Sequence, residues 1–299
     1  MKLNISIILF SLILVSCSDK NLVKENIYEM TSVEKLITIP DPTDIQKSKF
    51  NENVESEETT TVKEGINFTG FKTKNKLFFK EIIDPLISVK LDTLKKLHPV
   101  DAVNELALFV FDIYQQYFGK DFYRWAGDIF DLDDPQPKGS GYKKSFGLDC
   151  SGFASTPYEL AVHYNLITPE QTPFSSGGFK IFCEANNFTD KDGLSGTSNN
   201  FRLDTRDLVL LGREILSVPQ GSSINSEQLK MLQAGDLVGR SGHIGILVQI
   251  NKELFYLESG GWVVPRYGDG NPYKAAEAIE IFARSGDLTI RRCLPSKLK

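Results

Sequence analysis

An α+β fold, with a helix packed on an antiparallel sheet, is predicted by three stretches of this 299-residue chain. From Asp101 to Gly119, Val103, Leu106, Val110, Ile113 and Tyr117 recur at alternating spacings of three and four, as on a helix with one buried face. Asp149 to Phe153 reads as a loop-to-helix junction, followed by apolar Tyr158, Leu160, Ala161 and Val162. His243 to Val248 is a strand by its β-branched content, and a turn at Asn251 and Lys252 leads to a second hairpin strand, Leu254 to Ser259.

In chain order, Met1, Lys2 and Leu3 precede Ile5 to Val15, an apolar run of about eleven residues, too short to span a bilayer. It reads as a signal peptide. Its end, Leu14, Val15, Ser16, Cys17, resembles the bacterial lipoprotein signal, which implies export and a membrane anchor through lipid on Cys17; an ordinary secretory signal is the competing reading. Residues 18–65 are polar and Glu/Thr/Asn-rich with Pro40 and Pro42, so a flexible tether is expected, or a short helix within Tyr28 to Leu36 packed on the domain. Order is expected to begin between residues 66 and 80, and Ile82, Ile83, Leu86, Ile87, Val89 and Leu91 read as helical. Residues 66–94 form an N-terminal extension or accessory lobe before a main domain over 95–299.

A content of 41% hydrophobic and 24% charged residues suffices for one sizeable core. The net charge of -5, without a Lys/Arg block, argues against nucleic acid as a partner and against a polybasic membrane patch. Apart from Cys17, three cysteines remain, Cys150, Cys183 and Cys293, an odd number that leaves at least one free thiol. Cys183 and Cys293 either pair or are small buried residues. With no C-x-x-C and only three histidines, a structural zinc site is not expected, and the thiol chemistry read below calls for no metal or cofactor.

Cys150 and His243 carry the chemistry. A free thiol titrates near roughly 8.5, and a helix N-terminus with a neighbouring imidazolium lowers that by several units, making a standing nucleophile. Asp149 and Ser151 flank Cys150 with short polar side chains suited to capping, and Gly152 permits close packing. Among rival bases, His163 is about three and a half turns along the same helix and out of reach, and His98 sits in a linker with no motif around it. A third polar residue is expected to orient the imidazole.

Three pieces occur in order: Tyr123 to Gly127, Asp149 to Phe153, and Gly235, Asp236, Leu237 followed by His243, Ile244, Gly245, Ile246. Together they resemble the NlpC-type cell-wall cysteine peptidases, a papain-like group. The resemblance implies a papain-like catalytic domain, hydrolysis of peptidoglycan stem peptides between D-glutamate and a diamino acid, and action as a monomer. It further implies Cys150 as nucleophile, His243 as base, and Tyr123, Asp149 and Ser151 as substrate contacts. The third polar residue it implies is Glu258, on the second hairpin strand, provided the register holds: a one-residue slip would turn it away. The alternatives are another acyl transfer, such as cleavage of the N-acetylmuramoyl amide, and a non-catalytic lipid-anchored wall-binding protein. Two stretches exceed the family pattern, Asp128 to Gly147 and Thr172 to Gln228, the second with a short helix expected over Asp207 to Leu216; both are placed beside the groove.

Overall fold

The structure is a computed structural model; it describes residues 36–43, 47, 77–119, 122, 123, 127, 129, 147–168, 205–259 and 272–297. All belong to the second of two units, 1–34 and 35–299, into which the chain divides. The signal segment, Cys17, Cys183 and nearly all of Asp128 to Gly147 and of 169–204 lie outside the described residues.

A π-helical turn, Phe79–Ile83, runs into helix α1 (Asp84–Ser88) and α2 (Leu91–Leu94), so the helical expectation for this stretch holds. Phe78 meets the rings of Tyr114, Tyr117 and Phe118 at 5.0–5.5 Å. The segment before residue 95 therefore shares a core with the helix after it. Upstream, within the stretch expected to be a tether, Ile37 is buried, the Leu36 amide donates to Glu105 Oε2 at 3.4 Å, and Gln116 Nε2 donates to the Pro40 carbonyl at 3.2 Å.

Helix α3 (Pro99–Phe118) begins two residues earlier than the apolar spacing suggests. Its cap is His98, whose Nδ1 accepts from the Val100 amide at 3.3 Å, and Pro99 supplies a φ already set for a first turn. Asp101, a plausible cap by sequence, lies inside that turn and accepts from Lys297 Nζ at 2.6 Å. The helix stops at Gly119, with φ 78°. The five periodic residues are buried, and so is Asn104 on another face, whose amide side chain bonds both the N–H (2.7 Å) and the carbonyl (3.1 Å) of Gln249. Asn104→Ala leaves two part-buried backbone groups without that partner and is expected to cost about 1–3 kcal/mol, measured by denaturant unfolding.

The remaining elements are α4 (Cys150–His163), α5 (Thr205–Leu208), β1 (Arg213–Val218), α6 (Ser226–Lys230), β2 (Leu237–Arg240), β3 (His243–Ile250), β4 (Glu253–Leu257), β5 (Tyr273–Lys274), α7 (Ala275–Ala283) and β6 (Leu288–Arg292). The strands form one antiparallel sheet in the order β1-β6-β2-β3-β4-β5. The α+β class with an antiparallel sheet is as expected. Asn251 and Lys252 turn β3 into β4 with φ 48° and 70°, a tight primed turn that fixes the hairpin register.

The single helix expected over Asp207 to Leu216 is corrected to α5 followed by β1. Gly212 breaks the chain between them at φ 66°, where a Cβ would press within 2.8 Å of the Arg292 carbonyl carbon. Beyond it, β1 extends to pair with β6. Helix α7 covers one face of the sheet, packing Ala278, Ile279 and Phe282 with Val238, Leu247, Tyr256, Leu288 and Ile290. Helices α3 and α4 also pack against β3.

One buried polar cluster ties the C-terminal strand in place. Arg292 grips Asp236 with two bonds of 2.7 Å, and its Nη2 also reaches the Met231 carbonyl at 2.7 Å. Burial raises the Asp236 carboxyl above its ordinary value, and Arg292 works against that rise. Cys293 is a buried free thiol, pushed by burial up to about 12, so it is the small buried residue rather than half of a disulfide.

Candidate functional site

Helix α4 opens at Cys150 because Asp149 caps it: one Asp149 oxygen accepts the Gly152 amide at 2.7 Å and the Ser151 hydroxyl at 2.8 Å. Cys150 is thus the first helical residue, buried at 7% exposure, at the positive end of a fourteen-residue helix. The Asp149 and Ser151 side chains both serve the cap.

The other two sequence pieces meet α4 at separate places. Tyr123 forms a parallel bridge to Leu148, the Leu148 amide donates to the Phe122 carbonyl at 3.2 Å, and the Asp149 amide donates to the Gly127 carbonyl at 3.0 Å. Tyr123 is therefore beside the residues that lead into Cys150, and it is half-buried. From the opposite side, the Tyr158 hydroxyl of α4 donates to the Gly235 carbonyl. Gly235 and Asp236 in turn bond the backbone of Leu247, each at 2.8 Å, so α4 is tied to the strand that carries His243.

His243 is the first residue of β3. The turn before it is pinned by the Gly242 amide, which donates to Thr205 Oγ1 at 3.0 Å. Leu247 pairs with Tyr256 and Ile246 with Leu257, so the next residue along, Glu258, aligns with Gly245 on the face that His243 shares. The register expected for Glu258 is the one observed. His243 Nε2 is in direct contact with Glu258 Oε2, with both side chains buried. A carboxylate acceptor requires the proton on Nε2, which leaves Nδ1 as the basic nitrogen.

Sequence reasoning missed Tyr256. Its hydroxyl donates to the same Glu258 oxygen that meets His243, at 3.3 Å. Burial raises its pKa well above the ordinary phenol value, and negative charge on Glu258 and then on Cys150 adds to the rise. Gly245 makes the arrangement possible, because a Cβ there would come within 2.5–2.6 Å of the Tyr256 ring. The signal was present in the sequence: Tyr256 stands two residues before Glu258, hence on the same face of the strand.

The rival histidines are placed elsewhere. His98 is exposed at the N-terminus of α3, and His163 ends α4, about 20 Å from Cys150 along the helix axis, edge-on to Phe79 and Tyr164. Among the described residues no group of three or more His, Cys, Asp or Glu side chains is placed to hold a metal ion.

Tyr256→Phe removes one of the bonds that hold the Glu258 carboxylate. It is expected to cost about 1–3 kcal/mol, read as a lowered thermal midpoint, and, if the site is catalytic, to lower turnover about tenfold, read from steady-state kinetics of the same preparation. In comparisons with known proteins, the chain matches no family model, no curated protein and no solved structure.

Proposed function

We propose that this chain is an exported, lipid-anchored cysteine hydrolase with a papain-like catalytic domain, acting on peptidoglycan stem peptides at the amide between D-glutamate and a diamino acid. The observation that carries this reading is the buried His243–Glu258 contact across the β3–β4 hairpin, on a strand tied through Gly235 to the helix that Cys150 opens.

In the proposed reaction, the Cys150 thiolate attacks the carbonyl of the scissile amide, forming a tetrahedral oxyanion opposite the first-turn amides of α4. His243, charged on Nδ1 while Glu258 holds Nε2, gives its proton to the leaving amine as the C–N bond breaks. Water, deprotonated by the now neutral Nδ1, then cleaves the thioester and releases the acid and the free thiol. Burial of Glu258 and His243 strengthens their interaction by excluding water. Asp149 acts through the cap that fixes where Cys150 points. Tyr123, beside the Cys150 junction, contacts the bound peptide.

The test is digestion of purified muropeptides with protein lacking residues 1–17, followed by mass analysis. Products ending in D-glutamate with a newly freed diamino acid support the reading. Cleavage at the muramoyl amide would replace it with the amidase alternative, and binding without any product would replace it with a wall-binding role.

A further inference from the structure

Arg240 is the last residue of β2 and the cross-strand partner of His243. Residues paired in this way project to the same face. Both side chains rest on one aromatic ring, with Arg240 Cζ 5.3 Å and the His243 ring centre 5.6 Å from the centre of Phe282. The guanidinium therefore lies within about 11 Å of the imidazole, a span of about three extended residues.

Of the other arginines of this sheet, Arg291 meets Glu214, Arg292 meets Asp236 and Arg213 donates to the Ser296 hydroxyl, while Arg284, just after α7, meets Glu280. The Arg240 guanidinium has neither a carboxylate nor a hydrogen bond among the described residues, although it is half-buried. Its position is nonetheless built. The guanidinium lies over the Phe282 ring, and Gly286 leaves room for it, since a Cβ there would collide with Nη1. A partly desolvated cation held in place without an anion is suited to taking one from outside, with two parallel bonds to a carboxylate.

We propose that Arg240 is a specificity residue that binds a substrate carboxylate on one of the two residues flanking the scissile amide. The assignment rests on the cysteine hydrolase reading and names the chemistry its substrate must carry. Peptides neutralised at that carboxylate would leave the guanidinium unpaired in the complex and bind more weakly.

Three γ-D-glutamyl-diaminopimelyl peptides test this: one with both carboxylates next to the scissile amide free, one amidated on the acyl side, and one amidated on the amine side. One of the two amidations is expected to lower kcat/KM of the parent about tenfold or more, chiefly through KM, which also identifies the residue that bears the bound group. In Arg240→Gln the same amidation is expected to change kcat/KM less than about twofold, whereas Arg240→Lys keeps part of the discrimination through its charge. A parent that cleaves all three peptides equally well overturns the assignment and leaves the hydrolase reading standing. So does discrimination that survives in Arg240→Gln. Failure of the parent to cleave any of the three overturns the hydrolase reading and the assignment with it.

Discussion

Cys150→Ala is expected to lower stem-peptide turnover by about 10⁴-fold or more, since it removes the thiol that the proposed reaction uses to form the acyl intermediate. The substitution keeps the Asp149 cap, whose bonds run to Ser151 and Gly152, so the helix is expected to fold as before. Cys150→Ser is expected to be nearly as inactive, because a hydroxyl is not ionised by the interactions that ionise a thiol. Kinetics on defined muropeptides, read beside circular dichroism of each variant, separates loss of chemistry from loss of fold. Residual turnover above about one per cent of the parent in both variants would assign the nucleophile elsewhere.

The largest effect on stability is expected at Asp236, through its partner. Asp236 is fully buried and held twice by Arg292, whose guanidinium also binds Met231 and Ser296. Asp236→Ala leaves a buried cation without its counter-charge and is expected to cost about 3–5 kcal/mol of folding stability. Replacing both members, Asp236→Leu with Arg292→Met, is expected to recover much of that loss, because the desolvation of both charges disappears along with their attraction. Denaturant midpoints for Asp236→Leu, Arg292→Met and the double variant measure the coupling. Additive losses would mean that the pair does not act as a unit.

The Asp236 pair also shows what a sequence can and cannot carry. Gly235, Asp236 and Leu237 stood out as a motif, but the partner that gives the aspartate its role lies 56 residues away in β6. Strands β1 and β6 were not foreseen for a related reason. Their arginines and Glu214 break the apolar alternation, and that pattern makes sense only when Arg292 faces Asp236 and Arg291 faces Glu214 across the sheet. Helix α4 and the β3–β4 hairpin were legible because their determinants are local: Asp149 caps its own helix, and Asn251 and Lys252 set the register that brings Glu258 to His243. His98 misled in the opposite direction. A histidine before Pro99 looks like linker, whereas its ring nitrogen caps α3. Tyr256 carries both roles at once: it packs on Phe282 while its hydroxyl reaches Glu258.

The central claim is that Cys150 is a thiolate maintained by His243. Its most direct measurement is the pH dependence of iodoacetamide alkylation at Cys150, followed by peptide mass spectrometry in the parent and in His243→Ala. Cys293 serves as an internal control, since burial pushes its thiol up to about 12 and it should remain unmodified in the folded protein. The account predicts that the parent reacts rapidly at pH 6 and almost evenly up to pH 8. In His243→Ala the rate at pH 6 is expected to fall about a hundredfold and to climb with pH toward about 8.5, the ordinary value for a thiol. A parent whose rate climbs in that same way, indistinguishable from His243→Ala, would contradict the claim.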